Sequence, residues 1–320
     1  MKITILDDYQ NAVKDLKCFE LLKGRNVQIF NHNEKNVNTL ASMLQDTEII
    51  VLIRERTAIN ENLLSLLPKL KLISQTGKIS NHLDVVDCTK HKVAIAEGVG
   101  SPVAPAELTW ALIMNTTRQI PQSIEGMKKG NWQTTIGSTI HGKTLGIWGY
   151  GKIGQTVAQY AKVFGAKVIV WGSETSRNRA IEHGFEQVPS KEEFFKTSDI
   201  ITLHLRLTGA TREIIKGSDL LLMKDNATLV NTARAELIEK GALLNGLKLG
   251  KPKYAGIDVF PEEPVLDKEY ELFHLPNVVC TPHLGYVEVG TYEIYFEAAF
   301  TNVINFCAGN PTNIVNPEVF

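Results

Sequence analysis

The chain has 320 residues, 43% hydrophobic and 22% charged, and a formal net charge of −1. This is an ordinary globular composition, long enough for two domains that each bury a core. Near-neutral charge without long basic or acidic runs argues against a nucleic-acid partner. No basic amphipathic stretch and no run of ~20 apolar residues points to a membrane.

Met1-Lys2-Ile3-Thr4-Ile5-Leu6 meets Asp7-Asp8 after a short apolar run, so the chain is expected to open on a strand rather than a signal peptide. Over the first hundred residues, short β-type runs alternate with stretches of near-3.6 apolar spacing. Expected strands are Ile3–Leu6, Val27–Phe30, Ile49–Ile53, Leu70–Ser74 and Val93–Ala96, and expected helices are Gln10–Leu22, Val37–Leu44, Asn60–Leu67 and Leu83–Cys88. Gly98-Val99-Gly100-Ser101-Pro102 breaks the alternation and reads as a hinge. A long helix is expected from Pro105 to Thr117, resuming after Pro121 to Lys129. Its Trp110, Leu112, Ile113 and Met114 make it apolar almost all round, which predicts burial.

A second series follows, with strands expected at Leu145–Trp148, Val168–Trp171, Ile200–Leu205, Ala227–Asn231, Tyr254–Asp258 and Val278–Thr281, and helices between most of them. Helix Val289–Phe306 and an irregular tail close the chain. The pattern predicts an α/β protein with a Rossmann-type doubly wound parallel sheet at 99–287, and a second, flavodoxin-like α/β lid domain at 1–98 plus 288–320. The chain would cross twice between them, with ligands at the carboxyl ends of the strands facing a cleft. Cys18, Cys88, Cys280 and Cys307 lack metal-ligand or C-x-x-C spacing, so they read as reduced packing residues of a cytoplasmic protein without a metal site.

Gly149-Tyr150-Gly151-Lys152-Ile153-Gly154 sits between the run Thr144–Trp148 and a helical stretch expected at Gln155–Phe164. A lone G-x-G-x-x-G is common, but the strand–turn–helix frame is what dinucleotide binding needs. Gly149 permits the tight turn, Gly151 the approach of a pyrophosphate and Gly154 close helix packing, with the helix N-terminus facing the phosphates.

Three more residues follow strands of the same domain. Arg234 comes after Asn231-Thr232-Ala233, Glu263 lies in Asp258-Val259-Phe260-Pro261-Glu262-Glu263-Pro264, and His283 follows Thr281-Pro282. Singly, each reads as a solvated helix start, a turn residue and a capping group. Together they suit hydride transfer on a 2-hydroxy acid. An arginine fork holds the substrate carboxylate, a histidine removes the hydroxyl proton, and a carboxylate orients the imidazole and favours its charged form.

Gly149–Gly154, Asn231–Arg234, Asp258-Val259-Phe260-x-x-Glu263-Pro264 and Thr281-Pro282-His283-Leu284-Gly285 resemble the D-isomer-specific 2-hydroxyacid dehydrogenases, in order and over almost the whole chain. The resemblance implies catalytic roles for Arg234, Glu263 and His283. It implies cofactor contacts at Lys152, Ile153, Leu205, Arg206, Thr232, Ala233, Asp258, His283 and Gly285. It also implies a homodimer burying the Pro105–Thr117 region.

The first domain is most similar to the 3-phosphoglycerate dehydrogenase branch. Arg54 and Arg56 of Arg54-Glu55-Arg56-Thr57 match arginines that face a substrate phosphate there, although solvation of a strand end explains them too. Gly77 and Lys78 lie on the loop that family members use to hold the substrate carboxylate with backbone N–H groups. No regulatory domain of the kind some phosphoglycerate dehydrogenases carry is expected after Phe320.

Two features depart from the family. The loop after Gly77 reads Lys78-Ile79-Ser80-Asn81-His82, where Gly-x-Gly-x-Asp-Asn is common, leaving the substrate open. The acid expected eighteen residues beyond Gly154 is Gly172. Without it, Ser173, Thr175 and Arg177 could accept NADP, while Glu174 could substitute for the acid and keep NAD, the cofactor expected from the family. The resulting expectation is an NAD(P)-dependent 2-keto acid reductase, with 3-phosphoglycerate as candidate substrate. The alternatives are an NADPH-dependent glyoxylate or hydroxypyruvate reductase, and a nicotinamide-sensing binding protein on the same scaffold, as in the transcriptional corepressors that share the fold.

Overall fold

Parallel pairing organises both sheets of the computed structural model, which describes residues 1–320. The chain divides into two compact units, Met1–Ser101 with Glu288–Phe320, and Pro102–Val287.

In the first unit, strands β1 (Lys2–Ile5), β2 (Asn26–Ile29), β3 (Ile49–Leu52), β4 (Leu72–Gln75) and β5 (Ala94–Ala96) lie in the order β2-β1-β3-β4-β5. This is the flavodoxin-type order. All four residues of β3 and of β4 are buried, because helices cover both faces of a parallel sheet. Helix Val289–Cys307 packs on β4, where Ser74 Oγ donates to the Ala299 carbonyl at 2.8 Å and Phe19 meets Phe300 edge to face. The tail is tied down by Asn316, whose Oδ1 accepts from Ile95 N–H at 2.8 Å in a fully buried position.

The second unit holds β6 (Thr144–Trp148), β7 (Lys167–Trp171), β8 (Glu186–Gln187), β9 (Ile200–Leu203), β10 (Thr228–Asn231), β11 (Tyr254–Ile257) and β12 (Val278–Cys280). Their order is β12-β11-β10-β9-β6-β7-β8. Starting from β6, this is the doubly wound dinucleotide order with one strand added, and its switch point lies between β6 and β9. One face packs Leu145, Ile147, Val168 and Val170 against helices Val103–Arg118 and Lys152–Val163. The other packs Trp148, Ile169 and Leu203 against Phe194 and Phe195. The α/β architecture is therefore the one expected from the sequence.

Local differences have identifiable causes. In place of a helix over Gln10–Leu22 there are two 3₁₀ turns, Val13–Asp15 and Lys17–Leu22, separated by an extended Leu16. Asp8 captures the N–H groups of Ala12 and Val13, and Glu293 captures those of Lys17 and Cys18, so tertiary hydrogen bonds override the periodicity. The helix expected over Asn60–Leu67 shrinks to Glu61–Leu64, since Leu67 precedes Pro68 and such residues disfavour the α region. The short edge strand β8 carries too little pattern to read.

The long helix, Val103–Arg118, is less buried than expected. Ala106, Leu112 and Ile113 are buried, Trp110 and Met114 only partly, and Val103, Glu107 and Ala111 are exposed. Its inner face also carries Thr109 and Thr117, which return their hydroxyls to the carbonyls of Pro105 and Ile113.

Candidate active site

Every site residue predicted in the second unit lies at or beyond the carboxyl end of a strand. The β6 turn begins with Gly149 at φ +100°, where a Cβ would sit 2.8 Å from the His204 carbonyl oxygen. Gly149 N–H donates to the Trp171 carbonyl at 3.1 Å, which joins the turn to the end of β7. Gly151 caps helix Lys152–Val163 and faces open space, so nothing blocks a ligand at its Cα. Lys152, exposed, and Ile153, half-buried, form the first helical turn, which starts three residues earlier than expected. These residues fit a dinucleotide pyrophosphate: open backbone at Gly151 and a twelve-residue helix aimed at it.

A Cβ on Gly154 would run into the Gly149 carbonyl. Gly154→Ala is therefore expected to displace the turn, raising the dissociation constant for NADH about tenfold or more and costing about 1–3 kcal/mol of stability. Calorimetric titration and urea unfolding measure the two, and unchanged affinity would refute the packing argument.

Beyond β9, Leu205 packs half-buried against the core and Arg206 is exposed. The His204 ring, bonded through Nε2 to Thr202 Oγ1 at 3.0 Å, is pushed down to about 3 by burial. Its folded value lies below the unfolded 6.5, so its contribution is intact above pH 6.5 and is lost as pH falls toward 3. From pH 7 to 5 this ring should remove about 2 kcal/mol of stability. Urea unfolding at both pH values should show a smaller loss for His204→Gln; equal losses would contradict it.

Beyond β10, Asn231 is buried and organises its own turn. Its Oδ1 accepts from Ala233 N–H at 3.0 Å, and its Nδ2 donates to the Arg234 carbonyl at 2.9 Å. Thr232 Oγ1 lies 2.7 Å from Thr109 Oγ1, and Arg234 Nη1 donates to the Ala233 carbonyl at 2.6 Å.

Beyond β11 and β12 the two remaining catalytic candidates meet. His283 Nδ1 and Glu263 Oε2 are 2.6 Å apart, and Phe260 N–H donates to Glu263 Oε1 at 2.9 Å. The carboxylate thus fixes the imidazole while being fixed itself. His283 has φ +52°, an uncommon conformation that costs of order 1 kcal/mol or more and clusters at functional sites.

Asp258 holds the loop in that shape. Its Oδ1 accepts from Thr281 Oγ1 at 2.6 Å and Leu284 N–H at 2.7 Å, and its Oδ2 from Gly285 N–H at 3.0 Å. Burial pushes the Asp258 carboxyl up from its ordinary value, while these hydrogen bonds and His283 pull it down. Both oxygens are engaged with the loop, so Asp258 positions His283. Adjacent strand ends are about 4.8 Å apart, so β10, β11 and β12 bring Arg234, Glu263 and His283 to one edge of the sheet.

A family profile described as "D-isomer specific 2-hydroxyacid dehydrogenase, NAD binding domain" matches residues 110–285. The chain belongs to the D-isomer-specific 2-hydroxyacid dehydrogenases. This dehydrogenase is 36% identical to a glyoxylate reductase of Thermococcus litoralis over 82% of its own length and 81% of the relative's. It is 37% identical to a D-3-phosphoglycerate dehydrogenase of Methanocaldococcus jannaschii over 77% of its length, but spans only 47% of that relative. A solved phosphoglycerate oxidoreductase from Vibrio cholerae is similar with a TM-score of 0.94 and 52% identity, covering 97% of this chain and 99% of the other. The dehydrogenase is an NAD(P)-dependent oxidoreductase of the CH–OH group of a 2-hydroxy acid. No helix in it is long and apolar enough to cross a membrane.

In the first unit of the dehydrogenase, Arg54 has φ +54°, and its guanidinium lies where a Cβ on Gly77 would be. Its N–H donates to Thr76 Oγ1 at 3.1 Å and its carbonyl accepts from Gln75 Nε2 at 3.0 Å, which ties it to the end of β4. Arg56 is engaged differently. Nη1 donates to the Asp7 carbonyl at 2.6 Å, Nη2 to Tyr292 Oη at 3.2 Å, and the guanidinium lies 4.5 Å over the Tyr9 ring. Lys78 Nζ pairs with Glu97 at 2.6 Å, and Ile79 N–H also donates to Glu97. The structure therefore joins Arg54 with Gly77 and Glu55, engages Arg56 with Asp7 and Tyr292, and pairs an exposed Lys78 with Glu97.

Sequence reasoning missed the supports: Asn231 under Arg234, Tyr292 under Arg56, and Asp258 as the organiser of the His283 loop. The one available signal was that Asp258 opens the same motif that ends in Glu263.

Proposed function

We propose that this dehydrogenase interconverts a small D-2-hydroxy acid and its 2-keto acid, with His283 as general acid and base, Glu263 as its orienting carboxylate and Arg234 as the substrate-carboxylate fork. The 2.6 Å His283–Glu263 contact carries the reading. With Nδ1 facing Glu263, Nε2 is the ring nitrogen left to exchange a proton with the substrate oxygen. A nicotinamide held there would supply or take the hydride. Arg234 meets the carboxylate with a planar fork, and the Asp258-bound loop keeps the imidazole from turning away. Gly149, Gly151, Lys152, Ile153 and Gly154 would hold the pyrophosphate. Leu205, Arg206, Thr232, Ala233 and Gly285 would line the rest of the cofactor path.

Two substrate classes remain. Similarity to phosphoglycerate enzymes supports a phosphorylated substrate met by Arg54. The engagement of Arg56 with Asp7 and Tyr292 favours the second class, an unphosphorylated acid such as glyoxylate or hydroxypyruvate, because that guanidinium already has partners within the protein. Initial rates of NADH and NADPH oxidation with 3-phosphohydroxypyruvate, hydroxypyruvate and glyoxylate separate them. No turnover with any 2-keto acid would overturn the enzymatic reading.

The homodimer is proposed through the face carrying the exposed side of helix Val103–Arg118, helix Ile120–Lys128 and the arm after it. Trp132 and Ile136 on that arm are 77% and 92% exposed, beside exposed Ile124 and Met127 on the helix, an apolar set that a second copy would cover. A monomer mass in solution would remove this proposal. The four free cysteines support a reducing compartment, the cytoplasm.

A further inference from the structure

The end of β7 is where a dinucleotide enzyme meets the adenine-side ribose, and where NAD enzymes keep an acid for the ribose hydroxyls. Here the position is Gly172, with φ +152°. L-residues rarely adopt that conformation, so the strand end has lost the carboxylate and its backbone resists regaining one. Gly172 is placed for the role: a Cβ built on it would stand 3.8 Å from Gly149 N, the first glycine of the phosphate turn.

What surrounds Gly172 is cationic and hydroxyl-bearing. The same Cβ would stand 3.4 Å from Ser176 Cβ. Ser173 caps helix Glu174–Glu182, accepting from Ser176 N–H at 3.3 Å and donating its own hydroxyl to Ser176 Oγ at 3.2 Å, which leaves the Ser176 hydroxyl proton for a ligand. Arg177 is bound back by its N–H to the Ser173 carbonyl at 3.0 Å, and its guanidinium lies 4.8 Å over the ring of Trp171, the residue preceding Gly172. Its Nε is buried without a hydrogen-bond partner, and no carboxylate pairs with the guanidinium. Stacking on an indole holds an arginine fork at the strand end without neutralising it.

We propose that the adenosine subsite of this dehydrogenase takes the 2′-phosphate of NADP(H), recognised by Arg177 and Ser176, so that NADPH binds at least as tightly as NADH. This rests on the dinucleotide reading of the Gly149–Gly154 turn and adds which dinucleotide it selects. A 2′-phosphate brings about two negative charges to a place where the usual repelling carboxylate is gone and an unpaired guanidinium waits. Glu174, exposed in the first turn of the same helix, is the one nearby acid able to argue for NAD instead.

The test is calorimetric titration of the full-length protein with NADPH, NADH, ADP-ribose and 2′-phospho-ADP-ribose, which needs no turnover. NADPH is expected to match or exceed NADH, and 2′-phospho-ADP-ribose to exceed ADP-ribose. Arg177→Gln should weaken both 2′-phosphorylated ligands about tenfold or more while leaving NADH within about twofold, as loss of a charge-assisted contact would. Glu174→Gln should leave NADH unchanged and tighten NADPH. NADH tenfold tighter than NADPH, equal weakening of both by Arg177→Gln, or loss of NADH binding in Glu174→Gln would each overturn the proposal while leaving the dehydrogenase reading in place. Failure of every dinucleotide to bind would overturn both.

Discussion

Replacing His283 by alanine should lower kcat by about 10²–10⁴, the range for loss of a positioned general acid and base, while the dissociation constant for NADH stays within about twofold. The asymmetry follows from the loop. The proposed pyrophosphate contacts lie on the glycine turn after β6, while His283 sits after β12 and is held by Glu263. His283→Asn is the better-behaved companion, because asparagine tolerates the left-handed backbone at φ +52° that alanine dislikes. Stopped-flow or steady-state rates with a 2-keto acid, alongside calorimetric binding of NADH, read both parameters. A near-wild-type rate in either variant would remove His283 from the chemistry.

The second large effect is expected from Arg234→Lys. Substrate KM should rise about tenfold or more with NADH affinity within about twofold, since an ammonium keeps the charge but not the planar two-pronged fork. The position is suited to such a split. Asn231 holds the Arg234 backbone through its carbonyl, so a lysine would stand on the same fixed turn and differ only at its head. Steady-state kinetics against both substrate and cofactor settle the matter. Equal loss of both would make Arg234 a structural arginine.

Much of the fold was legible because two signals are local. Apolar runs at β spacing marked eleven of the twelve strands, and helix Val37–Leu44 emerged with its expected bounds, capped by Asn36. Burial on both faces of a parallel sheet makes its strands continuously apolar, which is a strong pattern. The misses were cases where a distant partner outbid the local preference. Asp8 and Glu293 break up the stretch Gln10–Leu22, and Glu293 is hundreds of residues away in sequence. Nothing in the periodicity of the first segment reports a carboxylate arriving from the last helix.

At the site, the sequence named residue types whose chemistry is constrained by what they must do: glycines where backbone must turn or be approached, and an imidazole, a carboxylate and a guanidinium beyond consecutive strands. Those facts are carried by spacing and composition alone. Tertiary structure decided which partners several equally plausible side chains meet. Arg54 and Arg56 read alike in sequence, yet Arg54 lies against Gly77 and pairs with Glu55, while Arg56 is bound to Asp7 and Tyr292. Asp258, a cofactor contact by resemblance, is also bound through both oxygens to the loop that carries His283. The reason is that a hydrogen-bonding group acts on whatever reaches it first. Which groups reach it depends on strand order and register, quantities set by long-range packing rather than by neighbours in the chain.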